Sequence, residues 1–206
     1  MDDGLRFATD LYQGTAGYYD RYRRPYPEAM IGWLTERAVL SGDGRLLDLA
    51  CGTGQLTFPL RRSFSEVWSV DREPGMVDAV RAKAAATAAG SVRAIAADAE
   101  TLDAEPGHFE LAVIGNAFHR PDHQVLSDAG FEQAERQEFT AEHRWSLREL
   151  AGYVRSTSVL PDSVLGDQGT AFDADLAASL GPLADCGTFA QSESSACELA
   201  RKPFTG

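Results

Sequence analysis

From residue 45 onward, short apolar runs alternate with segments of helical periodicity. RLLDLA (45–50) is an apolar run that stops at glycines, the pattern of a buried strand. GQLTFPL then starts a helix, and EVWSV (66–70) reads as a second strand. Pro74 opens a helix whose apolar positions, Met76, Val77 and Val80, carry it to about Ala89, where Gly90 closes it. VRAIAA (92–97) and FELAVIG (109–115) supply a third and a fourth strand. Strands and helices alternating at this spacing predict an α/β fold, a parallel sheet with helices on both faces. ELAVIG is apolar at successive positions, which predicts a strand covered on both faces and paired on both edges.

The flanks carry weaker signals. LYQGTAGYYDRYRRPYP is rich in tyrosine, and Pro27 can open a helix with Met30, Ile31, Leu34 and Ala38 on its apolar face, ended by Gly42 and Gly44. In the second half QVLSDAG (124–130) looks like a helix end, and FEQAERQEFTAEHRW like a long strand. Ser146 and Glu149 have capping-box spacing for a helix with Leu147, Leu150, Ala151 and Val154 on one face. Phe172, Leu176, Leu180 and Leu183 suggest a further helix, and SSACELARKP a last strand. Trp33, Trp68 and Trp145 read as core anchors.

At 206 residues the chain has the length of one domain: 1–44 as an N-terminal lid and helix, 45–119 as a ligand-binding half, 120–206 as C-terminal strands with a helical cover. Its 19 basic and 31 acidic residues give a formal charge of −12. The densest basic cluster, Arg21, Arg23 and Arg24, is too small for phosphate-driven binding, so nucleic acid and anionic membrane surfaces are not expected partners. No apolar run approaches the roughly 20 residues of a spanning helix. MDDGLRF lacks the apolar core of a secretory signal, and three scattered cysteines, Cys51, Cys186 and Cys197, fit neither a disulfide framework nor a zinc site. A reducing, cytoplasmic setting is expected. No metal is expected: His119 and His123 have helical ligand spacing but no third ligand beside them.

The chemistry concentrates in LLDLACGTGQL. A strand ends near Asp48, a turn holds Gly52 and Gly54, and a helix follows, so free N–H groups and a close backbone approach are offered to a ligand at the carboxyl edge of the sheet. A P-loop would need Gly-Lys-Ser/Thr, which is absent. A dinucleotide turn would need a third glycine where Thr57 stands, which argues against a nicotinamide-dependent reductase. S-adenosylmethionine, with a carboxylate and an ammonium in its tail, suits an acid before the turn and N–H groups after it.

These residues resemble the class I S-adenosylmethionine-dependent methyltransferases. Asp48, Ala50, Gly52 and Gly54 look like the first motif, D-x-G/A-x-G-x-G, and three further motifs follow in order. The resemblance implies a Rossmann-like doubly wound sheet with an antiparallel C-terminal strand pair and a helical insertion. It implies that Asp71 binds the ribose hydroxyls, that Met76 packs on adenine, and that Asp98 and Ala99 (in ADAE, 97–100) meet the adenine edge. Asn116 and His119 (in IGNAFH, 114–119) would line the methyl-transfer site, His119 orienting an acceptor or taking its proton. YRRPYP (22–27) is similar to the Y-R-P-x-Y-P segment of small-molecule methyltransferases related to trans-aconitate methyltransferases, with Arg24 where a proline is usual. That likeness makes Tyr19, Tyr22 and Arg23 cofactor or lid contacts and the acceptor a small molecule. S-adenosylhomocysteine would be the product.

The pattern departs from the family after the fourth strand. No helix, L-x-P-G-G turn and fifth strand follow; His119 runs almost directly into RPDHQVLSDAGF. Two arrangements are compatible with this: a chain interrupted at about Arg120–Pro121, or a continuous chain whose fourth strand pairs with the antiparallel strand near 190–200 or is covered by another chain. In the second case the protein could be a cofactor-binding pseudoenzyme or interaction module.

Overall fold

The structure is a computed structural model, and it describes residues 12–105, 107–117, 123–132 and 135–203. Four parallel strands form the main sheet: β1 (Arg45–Leu49), β2 (Glu66–Asp71), β3 (Val92–Ala96) and β4 (Leu111–Ile114), in the order β3-β2-β1-β4. Around them lie α1 (Ala16–Tyr22), α2 (Glu28–Ala38), the short α3 (Thr57–Leu60) and α4 (Pro74–Ala86). Beyond β4 come α5 (His123–Asp128), β5 (Glu135–Ser146), α6 (Leu147–Arg155), α7 (Asp162–Leu165), α8 (Gly169–Leu180) and β6 (Thr188–Leu199).

The central strands are apolar at successive positions because both faces are covered: Leu46, Leu47 and Asp48 of β1 and Val67 to Val70 of β2 are all buried. One face packs Leu46, Val67, Leu111 and Val113 against Leu34 of α2 and against Leu56, Leu60 and Phe64. The other packs Leu47, Trp68 and Val70 against Phe109, Leu102 and Ala104. α4 begins where Pro74 fixes the first helical φ and the Glu73 carboxylate accepts from the Gly75 N–H at 3.4 Å. The capping box of α6 is formed as its sequence requires, with Ser146 and Glu149 satisfying each other's backbone.

β5 and β6 pair antiparallel over twelve residues as a separate sheet. Leu199 and Cys197 of β6 reach the main core, and Phe139 of β5 meets Trp33 of α2 edge-on with centroids 6.2 Å apart. Here two expectations need correction. Among the described residues β6 pairs with β5 and not with β4, whose sole strand partner is β1. β4 is also not covered on both faces: Leu111 and Val113 are buried, whereas Ala112 and Ile114 are exposed, Ile114 by 42%. The chain path at Arg120 and Pro121 lies outside the described residues.

Candidate functional site

The turn after β1 folds tightly because three of its residues take positive φ: Ala50 (52°), Gly52 (55°) and Gly54 (91°). The Cys51 N–H donates to the Val70 carbonyl of β2 at 3.0 Å, and the Gly54 N–H closes the turn on the Cys51 carbonyl at 2.9 Å. The Gly52 N–H donates to Asp71 Oδ2 at 2.9 Å, and Asp71 Oδ1 accepts from the Glu73 N–H, also at 2.9 Å. Each carboxylate oxygen of Asp71 thus keeps a further lone pair for a ligand hydroxyl.

Asp48 is 1% exposed. The Thr57 hydroxyl donates to its Oδ2 at 2.6 Å and lies 2.8 Å from the Ser69 hydroxyl. Burial pushes the Asp48 carboxyl up to about 7, against the hydrogen bonds from Thr57, which pull it down. Burial likewise raises the Cys51 thiol, helped by Asp48 and Asp71, so Cys51 is a neutral packing group and not a nucleophile.

The lid closes over this turn. The Tyr19 ring lies against Gly52, 3.1 Å from where a Cβ would stand. Arg23 stacks between Tyr19 and Tyr153, 4.8 and 5.1 Å from the ring centroids, and its Nε donates to the Ser156 hydroxyl of the helical cover at 2.9 Å. Arg155 donates to the Tyr18 hydroxyl at 3.2 Å, and the Tyr22 ring fills the space beside Gly152. The lid helix and α6 are therefore one packed unit.

A cavity of about 40 Å³ remains between lid and turn. It brings together Tyr19, Arg23, Asp48, Ala50 and Asn116, five of the residues singled out from the sequence. Gly52 and Asp71 are not in its lining: Gly52 packs under the Tyr19 ring, and Asp71 accepts the Gly52 N–H. Gly54 backs the turn against Phe58. Met76 is 3% exposed inside the first turn of α4, and Tyr22 serves the lid packing. Asp98 is exposed at the end of β3, 3.6 Å from the Arg72 guanidinium, and Ala99 opens the following 3₁₀ turn. His119 lies outside the described residues. Tyr26, Arg24 and Gln55 also line the cavity and were not singled out. Tyr26 was legible in the same YRRPYP segment: its ring is half-buried beside Gly115 and Asp48, and burial raises its phenol far above the ordinary value.

Comparison with known proteins gives this geometry a context. Residues 46–136 match the family described as the methyltransferase domain. The uncharacterized methyltransferase Rv3342 of Mycobacterium tuberculosis is 37% identical over 111 residues, 54% of this chain and 42% of the relative. The chain thus spans less than half the length of the curated relatives it matches. Two solved structures share the fold. One, from Anaeromyxobacter dehalogenans and designated a candidate type II methyltransferase, has a TM-score of 0.59 at 18% identity, covering 86% of this chain and 97% of its own. The other, a candidate methyltransferase (BH2331) from Bacillus halodurans, has a TM-score of 0.56 at 15% identity, with coverage of 84% and 99%. The matched segment is less than half of this chain; it resembles that methyltransferase domain, and the two solved structures share the fold.

The residues present fit the methyl donor that this resemblance implies, S-adenosylmethionine. A buried carboxyl at Asp48 with no ion pair among the described residues, and spare lone pairs at Asp71, suit a ligand with cationic groups and ribose hydroxyls. A cavity of about 40 Å³ is smaller than a nucleoside-sized ligand needs.

Proposed function

We propose that the protein transfers a methyl group from S-adenosylmethionine to a small-molecule acceptor by in-line displacement. The observation that carries this reading is the convergence of the glycine turn, the lid residues Tyr19 and Arg23, and Asn116 of the β4 end on one cavity at the carboxyl edge of the sheet. When bound, the cofactor supplies an already activated methyl group and leaves as S-adenosylhomocysteine. Asp71 would hold its ribose hydroxyls, Asp48 would face its cationic side, and Met76, Asp98 and Ala99 would lie toward adenine. Tyr19 and Arg23 close the lid and exclude water.

Positioning carries most of the catalysis in this reading. Alignment of an acceptor atom with a reactive bond can supply up to about 7–11 kcal/mol. Asn116, held at φ 51°, and the Tyr26 hydroxyl are the polar groups placed to orient an acceptor, and His119 is the residue proposed to take its proton. The small-molecule acceptor rests on the YRRPYP likeness and on the acidic surface. Among the described residues no helix is long and apolar enough to cross a membrane.

Titration calorimetry with S-adenosylhomocysteine and with a reduced nicotinamide dinucleotide tests the cofactor. Binding of the first alone is expected; binding of only the second would overturn the reading. Transfer of labelled methyl to any member of a small-acid, amine and phenol panel tests the activity. Cofactor binding with no transfer to any acceptor would favour the non-catalytic alternative.

A further inference from the structure

A second cavity, of about 340 Å³, opens behind the glycine turn, between the end of α3 and the last turn of α4. Phe58 and Pro59 give it an apolar wall, and Arg61, Arg62, Lys83 and Thr87 complete it. In this acidic chain arginines generally find carboxylates: Arg81 meets Asp78, Arg136 meets Glu198, and Arg155 meets Asp162 and Asp173. Arg61 and Arg62 meet none among the described residues. The Nε of Arg61 is moreover buried with no hydrogen-bond partner among the described residues, and a buried donor left unpaired is costly. An acceptor atom seated in the cavity would remove that cost. Lys83, also in the lining, is already engaged: its ammonium pairs with Asp20 and donates to the Thr53 carbonyl of the glycine turn at 2.8 Å, which leaves Arg61 and Arg62 as the cations for a ligand.

We propose that this cavity binds a small amphiphilic anion, a carboxylate or similar head group on an apolar body. The head would meet Arg61 and Arg62, and the body would lie along Phe58 and Pro59. The volume falls in the range of small-molecule sites, and the apolar wall with a basic rim distinguishes the occupant from a bare inorganic anion. The site is separate from the methyl-transfer cavity, and the inference does not depend on that reading.

Octanoate, titrated into the full chain without cofactor and followed by amide NMR shifts, tests it. Shifts should centre on residues 58–62 and 83–87, and acetate and octan-1-ol should each bind at least about tenfold more weakly than octanoate. The Arg61→Gln/Arg62→Gln double variant should lose octanoate binding by about tenfold or more. Arg62→Gln alone changes only an exposed side chain, so it gives the same test, at a smaller loss, if the double variant fails to fold. Equal affinity in a folded variant, acetate binding as tightly as octanoate, or shifts centred elsewhere would overturn the proposal. So would octanoate being displaced by raising the protein concentration, since the occupant would then be a second copy of the chain.

Discussion

The backbone N–H of Gly52 donates to the carboxylate of Asp71 at 2.9 Å, joining the turn after β1 to the end of β2. Two sequence motifs nineteen positions apart thereby form one structural unit. The Asp71 carboxylate holds the glycine turn in shape with one lone pair of Oδ2, and with Oδ1 it caps the Glu73 N–H at the start of α4. Its remaining lone pairs face outward from the same rigid frame.

Asp71 therefore has two duties, which substitution can separate. In the proposed reading each ribose hydroxyl makes a charge-assisted hydrogen bond of about 1.5–3 kcal/mol to it. Asp71→Ala should weaken S-adenosylhomocysteine binding by at least about tenfold, using about 1.4 kcal/mol per decade. Asp71→Asn keeps one carbonyl acceptor for the Gly52 N–H but loses the bond from the Glu73 N–H, so its melting temperature should fall less than that of Asp71→Ala while it still binds the nucleoside less tightly. Calorimetry showing unchanged affinity in folded Asp71→Ala would remove Asp71 from the site.

The two glycines of the turn should fail in different ways. A Cβ at Gly54 would stand 2.6 Å from the Phe58 ring, at φ 91°, so Gly54→Val should lose stability, by about 1–3 kcal/mol from crowding alone. A Cβ at Gly52 meets chiefly the lid ring of Tyr19, at φ 55°. Gly52→Val should therefore remain folded and lose cofactor binding. Circular dichroism melts paired with calorimetry separate the two; wild-type affinity in Gly52→Val would place the ligand elsewhere.

Much of this was legible in the sequence because the strands announce themselves locally. β1 to β4 fall within a residue or two of the apolar runs, and the Ser146–Glu149 spacing gave the start of α6. The turn was legible because Gly52 and Gly54 need a backbone geometry that few residues adopt. What the sequence did not reveal depends on contacts distant along the chain. Arg23 reads as a cofactor or lid contact, but nothing local reveals that its Nε goes to Ser156, 133 positions away. The apolar ELAVIG run reads as a doubly covered strand, yet Ile114 and Ala112 are exposed because coverage depends on elements that follow.

The lid should be loosened from the far side. Tyr22 packs so closely on Gly152 of α6 that an added Cβ would overlap its ring. Gly152→Ala should push the α1–α6 contact apart and destabilise the closed lid by about 1–3 kcal/mol, the usual cost of overpacking. Amide hydrogen exchange should then quicken across 16–22 while β1 and β2 keep their protection. Quickened exchange throughout the chain would mean that the lid and core unfold together. Unchanged exchange in the lid would show that the α1–α6 packing does not hold it shut.

Asp48 should make both stability and cofactor affinity depend on pH, in opposite senses. Its carboxyl is raised by burial from 3.8 to about 7, so between those values the folded state holds a proton that the unfolded state has lost. Stability from this group is full below about pH 4 and falls as pH rises toward 7, by a few kcal/mol at about 1.4 kcal/mol per pKa unit. Asp48→Asn keeps the acceptor for the Thr57 hydroxyl and has no proton to lose, so its stability should fall less than that of the wild type over this window. A cationic ligand beside Asp48 favours the charged carboxylate, so S-adenosylhomocysteine should bind more tightly as pH rises through about 7. At pH 7 that binding should release part of a proton from wild type and none from Asp48→Asn. Calorimetry in buffers of differing ionisation enthalpy measures this directly. Equal proton release by the two proteins would show that Asp48 does not face the cationic side of the ligand.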